Sequence, residues 1–176
     1  LNQFKNKSIL ITGGTGSFGK QFVKRFILKK SFKKIIIFSR DELKQYQFEE
    51  EIKKNYKKDN IRFFLGDIRD LSRLKEATLD VDYIIHAAAQ KQVDKAEYDP
   101  VECIKTNIIG TNNVIEAAIY NNIDRAIILS TDKAVNPINL YGSTKLTAEK
   151  IFISANNTLG KRRTKLSVVR DGNVIN

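Results

Sequence analysis

The chain has 176 residues with 31 Lys and Arg against 20 Asp and Glu, a formal net charge of +11, and is 41% hydrophobic. That length suits one domain with a real core and not two; no apolar run approaches the ~20 residues that span a bilayer, and residues 1–5 lack the apolar core of a secretory leader, so a cytoplasmic location is expected. The lysines are scattered, with no basic stripe alternating with aromatics, which favours a solvated surface attractive to anionic ligands over nucleic-acid binding.

The first element is an apolar run, Ile9-Leu10-Ile11, entering glycines at 13, 14, 16 and 19. A helical pattern follows, with Phe22, Val23, Phe26 and Ile27 on one face. Gly14-Thr15-Gly16-Ser17-Phe18-Gly19 satisfies G-x-G-x-x-G, and the strand–turn–helix setting gives the motif its meaning. Such a turn lets backbone approach a pyrophosphate, which then faces the N–H groups and positive dipole end of the helix. The competing reading is a plain structural turn.

Ile35-Ile36-Ile37-Phe38 is a second strand of the kind buried on both faces of a parallel sheet. Ser39-Arg40 follows, about twenty residues past the last motif glycine, where an acid would accept the ribose 2′-hydroxyl of NAD and an arginine accommodates the 2′-phosphate of NADP. NADP is therefore expected over NAD. Asp41 and Glu42 suit the start of a charged, solvent-facing helix over residues 42–56.

Residues 61–65 form the third strand, and Asp67 at its C-terminal end is either a ligand contact or a turn aspartate. Asp70 is expected to cap a short helix carrying Leu71, Leu74 and Ala77. The fourth strand, residues 81–85, runs into His86 and the small residues Ala87, Ala88 and Ala89, against which a cofactor could lie flat. The chain's single histidine allows no histidine metal cluster and reads as structural; the single cysteine, Cys103, reads as a small buried residue, and no metal site is expected. A helical stretch is expected from about residue 100 to 121, then a fifth strand over 125–129 and a sixth over 166–169. The alternation predicts an α/β fold: a doubly wound parallel sheet of about six to seven strands with helices on both faces.

After the fifth strand come Ser130-Thr131-Asp132-Lys133, and ten residues on Tyr141-Gly142-Ser143-Thr144-Lys145 opens a helix. Tyr and Lys at i and i+4 lie on one face, about 5–6 Å apart at Cβ. A lysine ammonium there is expected to lower the phenol pKa, so that the tyrosine can take a proton while hydride leaves the same carbon.

With these residues in place, the chain resembles the extended short-chain dehydrogenase/reductases that modify nucleotide sugars. It is most similar to the UDP-N-acetylglucosamine 4,6-dehydratase (5-epimerising) group of polysaccharide biosynthesis. The resemblance is carried by residues 10–19, 39–44, 86–89, 97–98, 102–107, 130–134 and 136–145. It implies a Rossmann-type NAD(P)-binding domain over residues 1–176, with the C-terminal substrate domain absent. It also implies a nucleotide-sugar substrate and assembly as a homo-oligomer through helices of this domain. The implied catalytic residues are Tyr141, which takes the C4 hydroxyl proton, and Lys145, which tunes it. Lys133 is the implied base at C5 and Asp132 the implied acid at C6. The implied cofactor contacts are Gly13, Thr15, Gly16, Ser17, Phe18, Gly19, Ser39, Arg40, Asp67, Ile68, Ala87, Ala88, Ala89, Lys91, Asn107, Tyr141 and Lys145. Substrate contacts are implied for Lys91, Thr131, Asp132 and Asn173. Two alternatives stay open: a non-catalytic NAD(P)-binding module or remnant, and a nucleotide-sugar epimerase of the same superfamily.

Overall fold

The computed structural model of the chain describes residues 4–28, 31–56 and 60–172. Two expectations, the Ile27 side chain sharing one face of the first helix with Phe22, Val23 and Phe26 and the substrate contact of Asn173, fall on groups that are not described. Six strands are present among those residues: β1 (Ser8–Thr12), β2 (Lys34–Ser39), β3 (Ile61–Leu65), β4 (Tyr83–His86), β5 (Arg125–Thr131) and β6 (Lys165–Asp171). They form one sheet in the order β3-β2-β1-β4-β5-β6, and every pairing is parallel. The intervening helices are α1 (Ser17–Leu28), α2 (Glu42–Tyr56), α3 (Leu71–Ala77), α4 (Val93–Tyr98), α5 (Pro100–Ile104), α6 (Gly110–Tyr120) and α7 (Leu140–Ser154).

Successive strand side chains point to opposite faces, so the continuous apolar runs feed two cores. Ile9, Ile11, Ile35 and Ile37 pack with Val23 of α1 and with Phe48 and Ile52 of α2. Leu10, Ile36, Ile84 and Ile128 pack on the other face, with Leu74 of α3, Val114 and Ala118 of α6, and Ala148 and Phe152 of α7. This is the doubly wound parallel sheet that the strand–helix alternation predicts.

Local chemistry sets the ends of the helices. The Asp70 carboxylate accepts from Arg73 N at 2.9 Å, capping α3 as expected, and Asp41 accepts from Lys44 N at 2.9 Å at the start of α2. Despite its charge, α2 is not solvated all round, because Gln45, Phe48 and Ile52 form a buried stripe. The long helix expected over residues 100–121 is interrupted by a π-helical turn, Lys105–Ile109, between α5 and α6. Such turns concentrate at functional sites. Among the described residues no helix is long and apolar enough to cross a membrane.

The connections leave β1 in one direction and β4 in the other. The crevice outside the C-terminal ends of these two strands is where open α/β sheets bind ligands.

Candidate active site

From β1 the chain enters Gly13, whose φ of +65° favours glycine. A Cβ there would stand 2.8 Å from the Ala88 N and Cα, so any side chain would wedge the ends of β1 and β4 apart. Gly16 N donates to Gly13 O at 2.9 Å and closes the turn. Thr15 is buried beneath it and Gly19 beside it, whereas Gly16, Ser17 and Phe18 are exposed where α1 begins. The first N–H groups of a helix have no acceptor within it, so this end of α1 is suited to a phosphate.

The second wall follows β4. Ala87, Ala88 and Ala89 are half-buried, and Lys91 is exposed at the far end of the segment. Asn107, in the π turn, holds that segment in place. Its Nδ2 donates to Gln90 O at 2.9 Å and its Oδ1 accepts from Gln90 N at 2.8 Å. With Thr144 Oγ1 also accepting from Nδ2 at 3.0 Å, the buried amide is engaged on three sides by protein groups.

At the end of β2, Ser39 is buried, and its hydroxyl and carbonyl accept from Gln45 Nε2 at 3.0 and 2.9 Å. Arg40 is exposed and lies 3.6 Å from Asp67 at the end of β3. Burial would raise the Asp67 pKa, but hydrogen bonds from Arg69 hold it below the ordinary carboxylate range. The side chain of Ile68 belongs to the core. Any contact it makes with a ligand is therefore through its backbone.

The third group leaves β5. Thr131 Oγ1 donates to Asp132 Oδ1 at 2.8 Å, Lys133 N donates to the same oxygen at 2.9 Å, and Lys133 Nζ lies 3.4 Å away. The Thr131 hydroxyl and then Lys133 hold the Asp132 carboxyl below its usual range. α7 packs directly on this turn, because a Cβ on Gly142 would press into the Lys133 carbonyl. Asn139 Oδ1 caps the helix by accepting from Gly142 N at 2.8 Å. Tyr141, 8% exposed, is thereby set beside Thr131.

The electrostatics of Tyr141 correct one expectation. Burial raises its pKa, the Thr131 hydroxyl works the other way, and the Asp132 charge raises it further, with a net shift upward. The spacing alone predicts a lowered phenol. Here the Lys145 ammonium runs down to the sheet instead, donating to Leu129 O at 2.6 Å. At 5% exposure, burial pushes Lys145 down to about 8, opposed by Glu149 one turn on. Burial pushes Glu149 up, but Arg170 of β6, donating at 2.9 and 2.7 Å, keeps it below the usual range.

Thr12, Thr111, Thr144, Glu149 and Arg170 shape this region without having been singled out in the sequence. The one available signal was Glu149, a charged residue four positions after Lys145 on the buried face of α7. Cys103 is buried with its thiol pushed up by that burial, as suits a packing residue. Among the described residues no group of three or more His, Cys, Asp or Glu could hold a metal ion.

A 3-2-1-4-5-6 parallel sheet with a glycine turn at its switch point, and a Tyr-x-x-x-Lys helix beside it, defines a Rossmann-type domain of the short-chain dehydrogenase/reductase class. Within that class, residues 9–176 match the family described as Polysaccharide biosynthesis protein, and the chain belongs to it. It is 54% identical over 172 residues to a UDP-N-acetylglucosamine 4,6-dehydratase (inverting) of Campylobacter jejuni subsp. jejuni serotype O:23/36 (strain 81-176), covering 98% of this chain and 50% of that protein. It is 45% identical over 175 residues to a UDP-glucose 4-epimerase of Rickettsia bellii (strain OSU 85-389), covering 98% of this chain and 50% of that one. The X-ray structure of Pen from Bacillus thuringiensis superposes with a TM-score of 0.92 at 41% identity, covering 98% of this chain and 52% of that one. The chain thus spans about half the length of the curated relatives it matches.

Proposed function

We propose that this chain supplies the NADP-binding half and the proton-transfer groups of a nucleotide-sugar 4,6-dehydratase that inverts C5 of UDP-N-acetylglucosamine. The observation that carries the reading is the packing of Tyr141 beside Thr131, next to an exposed acid–amine pair, Asp132 and Lys133, at the C-terminal end of β5. Simple oxidation at C4 needs only the tyrosine; elimination of water also needs a base and an acid.

The residues present fit the cofactor. The turn at Gly13 is a cradle that a Cβ would fill, α1 offers its first N–H groups, and Arg40 is an exposed cation at the end of β2 suited to a 2′-phosphate. Residues 13–19 would hold the pyrophosphate. Ser39, Arg40, Asp67 and Ile68 would flank the adenosine, and Ala87, Ala88, Ala89, Lys91, Asn107, Tyr141 and Lys145 the nicotinamide end. When bound, NADP would supply an acceptor for the C4 hydride and would return it to C6 after water is lost, ending each cycle oxidised.

Tyr141 takes the proton of the sugar C4 hydroxyl, and Lys145 contributes positive charge near it. The resulting C4 ketone acidifies the C5 proton, which the Lys133 amine removes. Asp132 donates to the C6 hydroxyl, which leaves as water, and reprotonation of C5 from the opposite face inverts that carbon. Lys91, Thr131 and Asn173 would contact the sugar nucleotide.

One observation favours a second reading, C4 epimerisation. Thr131 and Lys133 hold the Asp132 carboxyl below its usual range, the opposite direction from the one that helps an acid at C6 donate a proton. A chimera of this chain with the C-terminal half of the Campylobacter jejuni dehydratase, supplied with UDP-N-acetylglucosamine and NADP in deuterated water, separates the two. The dehydratase reading expects a 4-keto-6-deoxy product with deuterium at C5. An isomer of unchanged mass, epimeric at C4, would establish the second reading, and absence of both products would overturn each.

A further inference from the structure

His86 carries the chain's only imidazole and is 1% exposed. Its Nδ1 lies 2.7 Å from Thr12 Oγ1 and its Nε2 lies 3.0 Å from Thr111 Oγ1. The direction of every hydrogen bond in this cluster follows by exclusion. The single hydrogen of the Thr111 hydroxyl goes to Asn107 O at 2.7 Å, so towards His86 this oxygen can only accept. Nε2 therefore carries the ring hydrogen. Burial, with a smaller contribution from the Lys145 charge, keeps the ring neutral, so Nδ1 is bare and accepts from the Thr12 hydroxyl. Thr12 Oγ1 in turn accepts from the N–H of Ala87 at 3.2 Å and of Ala88 at 3.3 Å. The Ala87 N–H is shared with Thr12 O, also at 3.2 Å.

The line continues beyond Thr111. Asn107, whose carbonyl ends the first part, clamps Gln90 through its side chain and donates to Thr144 Oγ1 at 3.0 Å. Thr144 donates to Tyr141 O at 2.8 Å. One path of buried polar contacts thus joins the end of β1, the segment after β4, the π turn and the first turn of α7.

We propose that His86 is a positioning residue: a neutral Nε2–H link that holds residues 87–90 against the glycine turn and ties them to the helix bearing Tyr141. The alternative ring states do not fit. A hydrogen on Nδ1 would face the Thr12 hydroxyl, whose other neighbours, Ala87 N–H and Ala88 N–H, are both donors, leaving that hydroxyl no acceptor. The consequence for cofactor affinity rests on the function proposed above; the link itself does not.

Because there is one histidine, its ring nitrogens give unambiguous signals in the 15N-labelled chain. At pH 7 the expected spectrum is that of a single Nε2–H tautomer. Thr12→Val removes the donor to Nδ1 and the hydroxyl acceptor of Ala88 together. It is expected to speed amide exchange at Ala88 about tenfold and weaken NADP about tenfold, the equivalent of one lost hydrogen bond. Thr12→Ser is expected to restore both, and exchange at Ile36 in β2 reports that the sheet is intact in each variant. An Nδ1–H tautomer in the parent, or unchanged Ala88 exchange in Thr12→Val, overturns the link. Faster exchange with unchanged NADP affinity overturns the positioning role. If NADP binds none of the proteins while both NMR results hold, the link stands and the cofactor reading falls.

Discussion

Replacing Lys145 by Met should make the protein more stable while removing a residue of the proposed chemistry. The Lys145 amine is 5% exposed, and burial pushes its pKa from 10.5 down to about 8. That difference corresponds to about 3 kcal/mol against folding wherever the amine is charged in both states. Methionine loses the hydrogen bond to Leu129 O, worth about 1 kcal/mol, and Glu149 retains its two bonds to Arg170. The net gain at pH 7 is about 2 kcal/mol, or about 4–8 °C in Tm for a chain of this size. Its pH dependence is distinctive. Between pH 8 and 10.5 the unfolded amine holds a proton that the folded one has released, so parent stability rises with pH across that window. The Met variant lacks this rise, so its advantage is full below pH 8, is cancelled within the window and reverses by about 1 kcal/mol towards pH 10.5. Urea unfolding followed by far-UV circular dichroism at pH 7 and 9.5 measures both. A variant no more stable than the parent at pH 7, or a gap that does not narrow with pH, would refute the reasoning.

Three further outcomes are expected. His86, pushed down to about 3 when folded against 6.5 unfolded, stays neutral while the unfolded chain gains a proton as pH falls. Its share of stability lost between pH 7 and 5 is about 2 kcal/mol, and an imidazole proton NMR titration with a midpoint near the free value would contradict this. Gly13→Ala forces an L residue to φ +65° with its Cβ 2.8 Å from Ala88. It should cost at least ~1–2 kcal/mol in urea unfolding, and a neutral result would show that the turn relaxes freely. Arg40→Ala should weaken NADP about tenfold or more, the loss of one charge-assisted hydrogen bond, while leaving NAD unchanged. Equal losses in calorimetric titrations of the two would place Arg40 away from the 2′-phosphate.

Much of the scaffold was readable because its signals are local. The runs Ile9-Leu10-Ile11 and Ile35-Ile36-Ile37-Phe38 are too short for helices, too apolar for exposed strands, and bounded by turn residues. Asp70 directly before Leu71 made a recognisable cap. α4 was not readable: its six residues include only one buried side chain, Ala96, so no periodicity develops. The π turn escaped for a related reason, since one extra residue in a turn barely disturbs a helical pattern. In the site, the Tyr-x-x-x-Lys spacing placed two side chains on one face but carried no information on depth. Depth decides the outcome here, with burial raising Tyr141 and sending Lys145 to Leu129 O. The Thr12–His86–Thr111 link joins residues 74 and 25 positions apart, and no sequence period connects them.

The central claim is that the glycine turn and residues 87–89 hold NADP beside Tyr141. Titrating NADP into the 15N-labelled chain, with affinity from calorimetry and location from amide shifts, tests it most directly. Micromolar binding is expected, weaker for NAD, with shifts at Gly13, Gly14, Gly16, Gly19, Ala87, Ala88 and Ala89. Absence of binding by either dinucleotide, or shifts confined to the basic loop of residues 159–163 behind the sheet's other end, would contradict it.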